Sequence, residues 1–347
     1  MSLADGLVAS WSLNDTLTDP ISGQTLVSID GASYFETGKL GKAWGVGGVA
    51  TRGLKTLTPP MDSTPAFTVS VWHRFTRTVT PTTNLTAFLF DLRNTSNGRH
   101  VTASLGLSPG YWWIEMISYT GYIAWEPTAF PFDNNWHNWL FIYANGLNAA
   151  KIYLDGVLKK SGSVTPQAIA ANRLNVGVMT NGAGGIYPAD SIDGFHWWNR
   201  ALSAPEVAQV YNSGTGWEYT PPDSTPNAFD FADVVDADPE TSYTSNSQTV
   251  TGMDAGTSIS ISGGEYRING GAWTSGAGTI DPGQTLELRA TSSAESEGVV
   301  TVTVTVGTAS ADWTITTGVL SSIVSNLVGS SILGGRILRS RIVQGHV

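Results

Sequence analysis

The sequence predicts an all-β protein of two sandwiches followed by a C-terminal tail, and three observations carry that expectation. Short apolar or alternating runs recur along most of the chain, each bounded by Gly, Pro, Asn or Asp. The 347 residues include 39 Gly and 13 Trp but only 13% charged side chains, against about 25% in ordinary domains. Charge also changes in steps: residues 1–217 hold 13 basic and 14 acidic residues, 218–317 hold 2 and 14, and 318–347 hold 3 and none. Segments so different do not share one surface chemistry.

These steps divide the chain into residues 1–217, a linker 218–226, a second domain 227–317 and a tail 318–347. The linker contains Thr220-Pro221-Pro222-Asp223-Ser224-Thr225-Pro226, too rich in proline to continue a strand.

In the first segment, strands are expected at Leu7–Leu13, Phe67–Phe75, Thr86–Leu92, Tyr111–Ile117, Trp139–Tyr143, Ala150–Leu154, Leu174–Val178 and Ile192–Trp198, where β-branched and aromatic residues dominate. Asp155-Gly156, between Leu154 and Val157, is a type I′ hairpin signal. One short helix is expected from Ser203 through Tyr211, with Ser203 as cap and Glu206 at the capping-box position.

Five separated motifs carry a family resemblance. They are Leu7 through Asp15, Phe67-Thr68-Val69-Ser70-Val71-Trp72, Trp136-His137, Ile152-Tyr153-Leu154-Asp155-Gly156, and Ile192-Asp193-Gly194-Phe195 with Asn199 through Ser203. In this order they resemble the laminin G-like, concanavalin A-like lectin/glucanase jelly roll over roughly residues 5 to 215. The resemblance implies two antiparallel sheets packed face to face.

The second domain alternates in Ser258–Ser262, Thr285–Arg289 and Val299–Val306, with a turn at Asn269-Gly270-Gly271. It fits a small immunoglobulin-like sandwich without the usual Cys pair and resembles the Ig-like modules of phage structural and bacterial surface proteins.

The tail repeats apolar dyads at Val319-Leu320, Ile323-Val324, Leu327-Val328, Ile332-Leu333, Ile337-Leu338 and Ile342-Val343. The last three spacings, of five residues, each rotate a helical stripe by about 140° at ~100° per residue. No single helix carries all six dyads, yet each apolar side chain gains ~1.5 kcal/mol or more if buried. A partner surface is therefore expected over Ile332, Leu333, Ile337, Leu338, Ile342 and Val343. Arg336, Arg339 and Arg341 would meet carboxylates or carbonyls there.

Composition narrows the chemistry. The absence of Cys removes disulfides and thiolate chemistry. A net charge of −10 disfavours nucleic acid. No apolar run reaches the 18 or so residues that a membrane span needs, and no basic n-region precedes an apolar stretch at the start, so no export signal is expected.

Glycosidases need paired carboxylates, and no Glu-x-Asp-x-Glu strand occurs. Glu115 after Trp112-Trp113-Ile114 is expected to be a rim residue. His73, His137 and His196 each lie beside Trp and read as structural, with no carboxylate-paired cluster to support zinc. No cofactor is required. The jelly-roll resemblance leaves room for a structural Ca²⁺ between Asp19 and Asp193, although Pro20-Ile21 departs from the usual Asn/Asp/Gly-rich loop. Trp112, Trp113, Tyr119 and Trp125 are candidate carbohydrate platforms, competing with a role as core aromatics.

The combined expectation is a noncatalytic phage virion structural protein, a capsid decoration, head-fibre or tail component assembled in the host cytoplasm. It would dock through its tail to other virion proteins and to its own copies, a trimer being favoured, with surface glycans as further partners and no membrane or nucleic acid. The alternatives are a carbohydrate-binding adhesin module and, behind it, a glycosidase with scattered carboxylates.

Overall fold

In the computed structural model the chain divides into two units, Met1–Pro221 and Pro222–Val347. The described residues are 2–46, 52–57, 59, 66–76, 85–93, 99–108, 111–118, 121–127, 133–164, 171, 173–180, 185–186 and 191–319.

Two large antiparallel sheets make up most of the first unit, beside a two-stranded ribbon of Met179–Thr180 and Gly185–Ile186. One runs, edge to edge, Val157–Gly162, Ala150–Leu154, Trp136–Tyr143, Phe67–Arg74, Ser191–Trp198, Lys42–Gly45 and Phe35–Thr37, with Leu7–Trp11 also paired to Ser191–Trp198. The other runs Gly121–Trp125, Tyr111–Ser118, Arg99–Ser108, Leu85–Arg93, Arg173–Val176, Leu54–Thr56 and Val27–Ser28.

Alternation explains the core between them. Phe67, Val69 and Val71 point inward with Phe141, Phe195 and Trp197, and meet Phe90, Leu92, Leu105, Ile114 and Met116 of the facing sheet. Phe67 stacks on Trp197 at 4.7 Å, and Phe90 meets Phe141 edge-on at 5.8 Å.

The first sheet is covered on its second face as well. Leu140, Ile142, Tyr153 and Trp198 pack there with Leu3, Leu7, Leu202, Val207 and Val210. Val207 and Val210 come from the helix Ala204–Tyr211. Its preceding residue, Ser203, is extended (φ −74°, ψ 162°). The Glu206 carboxylate accepts the Ser203 N–H at 2.8 Å and the Ser203 hydroxyl at 2.7 Å, which fixes the start of the helix. Asn212 ends it in the left-handed region (φ 49°). The Asp155-Gly156 turn has positive φ at both residues, 51° and 73°, the type I′ geometry.

Part of the expected linker belongs to the first unit. Trp217 and Tyr219 pack onto the outer apolar cluster, and Asn14 donates to Glu218 at 2.8 Å. Within the second unit, Thr308 N–H donates to the Ser224 carbonyl at 3.1 Å.

The second unit is a two-sheet sandwich. One sheet runs Val234–Ala237, Ala309–Thr317, Val299–Val306, Thr257–Ser262 and Gly278–Ile280; in the other, Thr285–Thr291 pairs with Ser242–Thr244, Gln248–Thr249 and Glu265–Ile268. Val302, Val304, Trp313 and Ile315 of the first sheet share one core with Leu286, Leu288 and Tyr266 of the second. Asn269 (φ 51°) and Gly270 (φ 67°) make the expected turn. Tail residues from Leu320 onward, including the expected partner-binding residues Ile332 through Val343, lie outside the described residues.

Candidate functional site on the outer face of the second sheet

Because the helix and both ends of the first unit cover the outer face of the first sheet, the second sheet's outer face is where a site can form. Register sets its contents. Leu105 and Ile114 point into the core, so their strand neighbours Ser104, Gly106, Trp113 and Glu115 point outward, with Gly106 opposite Trp113 and Ser104 opposite Glu115.

At one end lies an aromatic plate. The Trp113 indole lies over Gly106, where an added Cβ would come within 2.0 Å of the ring. Tyr111, 45% exposed, stacks beside it at 5.7 Å and 30°. A hydrogen bond to the Glu126 carboxylate pushes the Tyr111 phenol above its usual range. Next along the strand, the Ser104 hydroxyl donates to Glu115 at 2.9 Å.

A buried polar cluster follows. Asp91, fully buried, accepts the Thr102 hydroxyl at 2.7 Å on one oxygen, and Arg93 Nε at 2.5 Å and Asn175 Nδ2 at 3.1 Å on the other. Asn175 stands opposite Asp91 and Lys55, while Arg173 stands opposite Arg93. A bulge between Phe88 and Phe90 creates this arrangement. Ala87 and Leu89 are core residues, so plain alternation would bury Asp91 in the core too; the extra residue turns Phe90 and Leu92 inward and Asp91 and Arg93 outward.

From Gly106 to Thr102 and on to the Arg93 row, the face spans about 20 Å at ~3.3 Å per residue. Its accessible part is the aromatic end, where Tyr111 is exposed and Trp113 and Glu115 are half-buried; Ser104, Thr102, Asp91, Asn175 and Arg93 are buried. Sequence reasoning singled out Trp113 and Glu115 but missed Asp91, Arg93, Thr102, Arg173 and Asn175.

The other sequence-predicted platforms are placed differently. Trp112, half-buried, stands opposite Leu107 and one residue out of phase with Trp113. Trp125 packs against the core beneath the Lys159 ammonium, 5.4 Å from its ring centroid. Tyr119 lies outside the described residues.

Of the two residues expected to bridge a calcium ion, Asp19 has no oxygen left to offer one. Both oxygens of buried Asp19 are filled: one accepts the N–H groups of Ser10 (2.7 Å) and Ile21 (3.1 Å), the other the N–H of Ser22 (2.6 Å) and its hydroxyl. Asp193 holds the turn at Lys39 and Leu40 through Oδ2, at 2.6 and 2.8 Å, while its Oδ1 is buried without a hydrogen-bond partner. Burial pushes its carboxyl up to about 7. Among the described residues no group of three or more His, Cys, Asp or Glu is arranged to hold a metal ion.

His196 is buried, its Nδ1 sharing a hydrogen bond with the Ser10 hydroxyl at 2.8 Å, and burial lowers its pKa to about 4. His137 is held by two carboxylates. Its Nδ1 meets Asp155 at 2.7 Å and its Nε2 meets Asp133 at 3.1 Å. The two carboxylates lie on opposite ring nitrogens, a clamp rather than a chelate.

Residues 48–208 match the family model of the concanavalin A-like lectin/glucanases superfamily. No curated protein matches the sequence. Among solved structures, domain 4 of AbnA, a GH43 extracellular arabinanase from Geobacillus stearothermophilus, in complex with arabinotriose, is 21% identical. The match covers 61% of this chain and 98% of that one, with a TM-score of 0.43. The botulinum neurotoxin serotype G binding domain is 15% identical over 59% of this chain and 50% of that one (TM-score 0.46). The binding domain of Paraclostridial Mosquitocidal Protein 1 is 15% identical over 80% of this chain and 63% of that one (TM-score 0.46). The chain thus spans about half the neurotoxin domain and under two thirds of the mosquitocidal one. At these identities the likeness is one of fold.

Proposed function

We propose, starting from a first unit built as a concanavalin A-like jelly roll, that the protein is a noncatalytic display protein whose first unit binds carbohydrate on the outer face of its second sheet. The observation that carries this reading is the seating of Trp113 on Gly106 beside exposed Tyr111 and the Ser104–Glu115 hydrogen bond. A sugar ring presents C–H bonds on its face and hydroxyls around its edge, which suits an indole plate bordered by fixed donors and acceptors.

The same face supports the noncatalytic part. Glycoside hydrolysis takes two carboxylates free to exchange protons or attack carbon. Asp91 already accepts three hydrogen bonds, one of them from Arg93, so its charge is engaged in the fold. The two carboxylates near the plate are engaged as well, Glu115 by the Ser104 hydroxyl and Glu126 by the Tyr111 phenol.

A glycan array with the wild type and Trp113→Ala tests the reading. Selective binding that the substitution abolishes supports it, and no binding to any glycan overturns it. Release of new reducing ends from a bound polysaccharide would overturn the noncatalytic part.

The setting we propose is a phage virion, as a capsid decoration, head-fibre or tail component, because the tail's apolar dyads and three arginines call for a covering partner. Other virion proteins and further copies of this chain are the partners proposed. A chain ending at Thr317 should then lose its oligomeric state and its place in purified particles. Retention of both would remove the virion reading and leave the carbohydrate reading standing.

A further inference from the structure

Beyond Trp113 the exposed end of the second sheet continues onto its edge strand, Gly121–Trp125. Ile123 is buried in the core, so its neighbours Tyr122 and Ala124 point outward. Tyr122 is 68% exposed, and Ala124 stands opposite Glu115. Glu126 follows Trp125, which pairs with Ile114, and so stands beside Trp113, where its carboxylate accepts the Tyr111 phenol. The small Ala124 thus floors a shallow hollow bordered by Trp113, Tyr122, Glu115 and Glu126. Neighbouring strands lie about 4.8 Å apart and alternate residues of one strand about 7 Å apart, so the four side chains border a single sugar-sized space. The hydroxyls that Glu115 and Glu126 accept are neutral and leave both charges in place. Among the described residues, the ion pairs of the first unit use other carboxylates: Asp15, Glu36, Asp91, Asp133, Asp155 and Glu206. No Lys or Arg occurs in Tyr111–Ser118 or Gly121–Trp125, and Arg99 and Arg93 stand at the far ends of the next two strands. Lys159 lies over Trp125, whose ring packs against the core, one residue out of phase with Glu126.

We propose that this hollow selects a saccharide carrying a protonated amine, the ammonium lying over Ala124 between Glu115 and Glu126 while the sugar ring stacks on Trp113. This rests on the carbohydrate reading and specifies its ligand class. An ammonium gains from both carboxylates through charge-assisted hydrogen bonds, and from the aromatic faces of Trp113 and Tyr122 through the ring quadrupole. A neutral sugar hydroxyl gains only the hydrogen bond, and more weakly; an acidic sugar would bring a like charge up to two carboxylates. The net charge of −10 draws a polycationic saccharide in the same direction.

Titration calorimetry of the full chain tests this with three probes, at a pH where the amines are protonated: a glucosamine oligomer with free amines, its fully N-acetylated counterpart, and oligolysine. The free-amine sugar should bind about five- to tenfold tighter than the N-acetylated one at low salt, a preference that shrinks severalfold at about 0.5 M salt. Glu115→Gln and Glu126→Gln each keep an oxygen to accept the Ser104 or Tyr111 hydroxyl; each should reduce the preference and the two together should abolish it, with the fold checked by circular dichroism. Trp113→Ala should weaken both sugars. Equal binding of the two sugars, or a preference that survives the double substitution, overturns the selection for an amine but not carbohydrate binding. Oligolysine binding as tightly as the free-amine sugar would mark a site for any polycation and overturn the saccharide assignment. Failure of both sugars while the glycan array finds another ligand overturns the amine proposal alone; if no glycan on the array binds either, the carbohydrate reading falls with it.

Discussion

Trp113 lies on Gly106 so closely that a Cβ at residue 106 would sit 2.0 Å from Cε2 and 2.1 Å from Cζ2 of the indole. A glycine in the middle of a strand weakens it unless something needs the space, and here an aromatic ring needs it. Gly106→Ala should therefore tip the ring off the sheet. Affinity for the array-selected glycan should fall about 3- to 10-fold, the range expected for one lost aromatic contact, with a changed near-ultraviolet circular dichroism spectrum. Unchanged affinity would mean that the plate is not part of the binding surface.

The Asp91 cluster should matter more to stability than the plate. Replacing Asp91 by Ala leaves the Arg93 guanidinium buried, with 6% side-chain exposure, and without its carboxylate. Loss of one partner of such a pair costs about 3 to 5 kcal/mol. Thr102→Val removes a single neutral donor to Asp91 and should cost about 1 to 2 kcal/mol. Urea unfolding of both variants would check the order, and an equal loss in the two would contradict the assignment of Arg93 as the dependent charge.

How much of this was legible in the sequence differs from strand to strand. Phe67–Arg74 reads directly as a strand because its inward Phe67, Val69 and Val71 alternate with Thr68, Ser70 and Trp72. Arg99–Ser108 does not stand out as a strand, since Thr102, Ser104 and Gly106 on its outward side dilute its apolar pattern. Asp91 was hidden by the bulge at Phe88, which reverses the inside and outside of Leu85–Arg93 without leaving a Gly or Pro to announce it. The Arg93–Arg173 pairing joins strands 80 residues apart, and no local pattern encodes it. The helix cap and the Asp155-Gly156 turn were legible because each is written in two or four consecutive residues.

Glu206 offers a pH-dependent test of the helix that covers the first sheet. Hydrogen bonds from Arg200, at 2.7 and 3.1 Å, and from Ser203 outweigh burial and hold its carboxyl down to about 2, against 4.5. A depressed acid stabilises the fold fully above its unfolded value and loses that contribution as pH falls toward the folded one. Wild-type stability should therefore drop between pH 4.5 and 2, and Glu206→Gln should flatten that drop while lowering stability at pH 7 by about 2 kcal/mol. A variant as stable as wild type at pH 7 would argue against the cap.

His137 works in the opposite direction. Burial favours its neutral form, but hydrogen bonds to Asp155 and Asp133 outweigh burial and raise its pKa above 6.5. A base with a raised folded pKa contributes fully below its unfolded value, and the contribution fades as pH rises through the folded one. Stability should thus decline above pH 6.5 for a reason that Asp155→Asn isolates. Asn suits the left-handed position in the hairpin, keeps an oxygen to accept the Asn138 N–H as Asp155 does at 2.9 Å, and removes only the charge facing Nδ1. The variant should lose about 1 kcal/mol near pH 6 and much less near pH 9, with the His137 ring titrating at lower pH by nuclear magnetic resonance. A loss of equal size at both pH values would show that Asp155 acts through the turn alone and that the charge of the clamp contributes nothing.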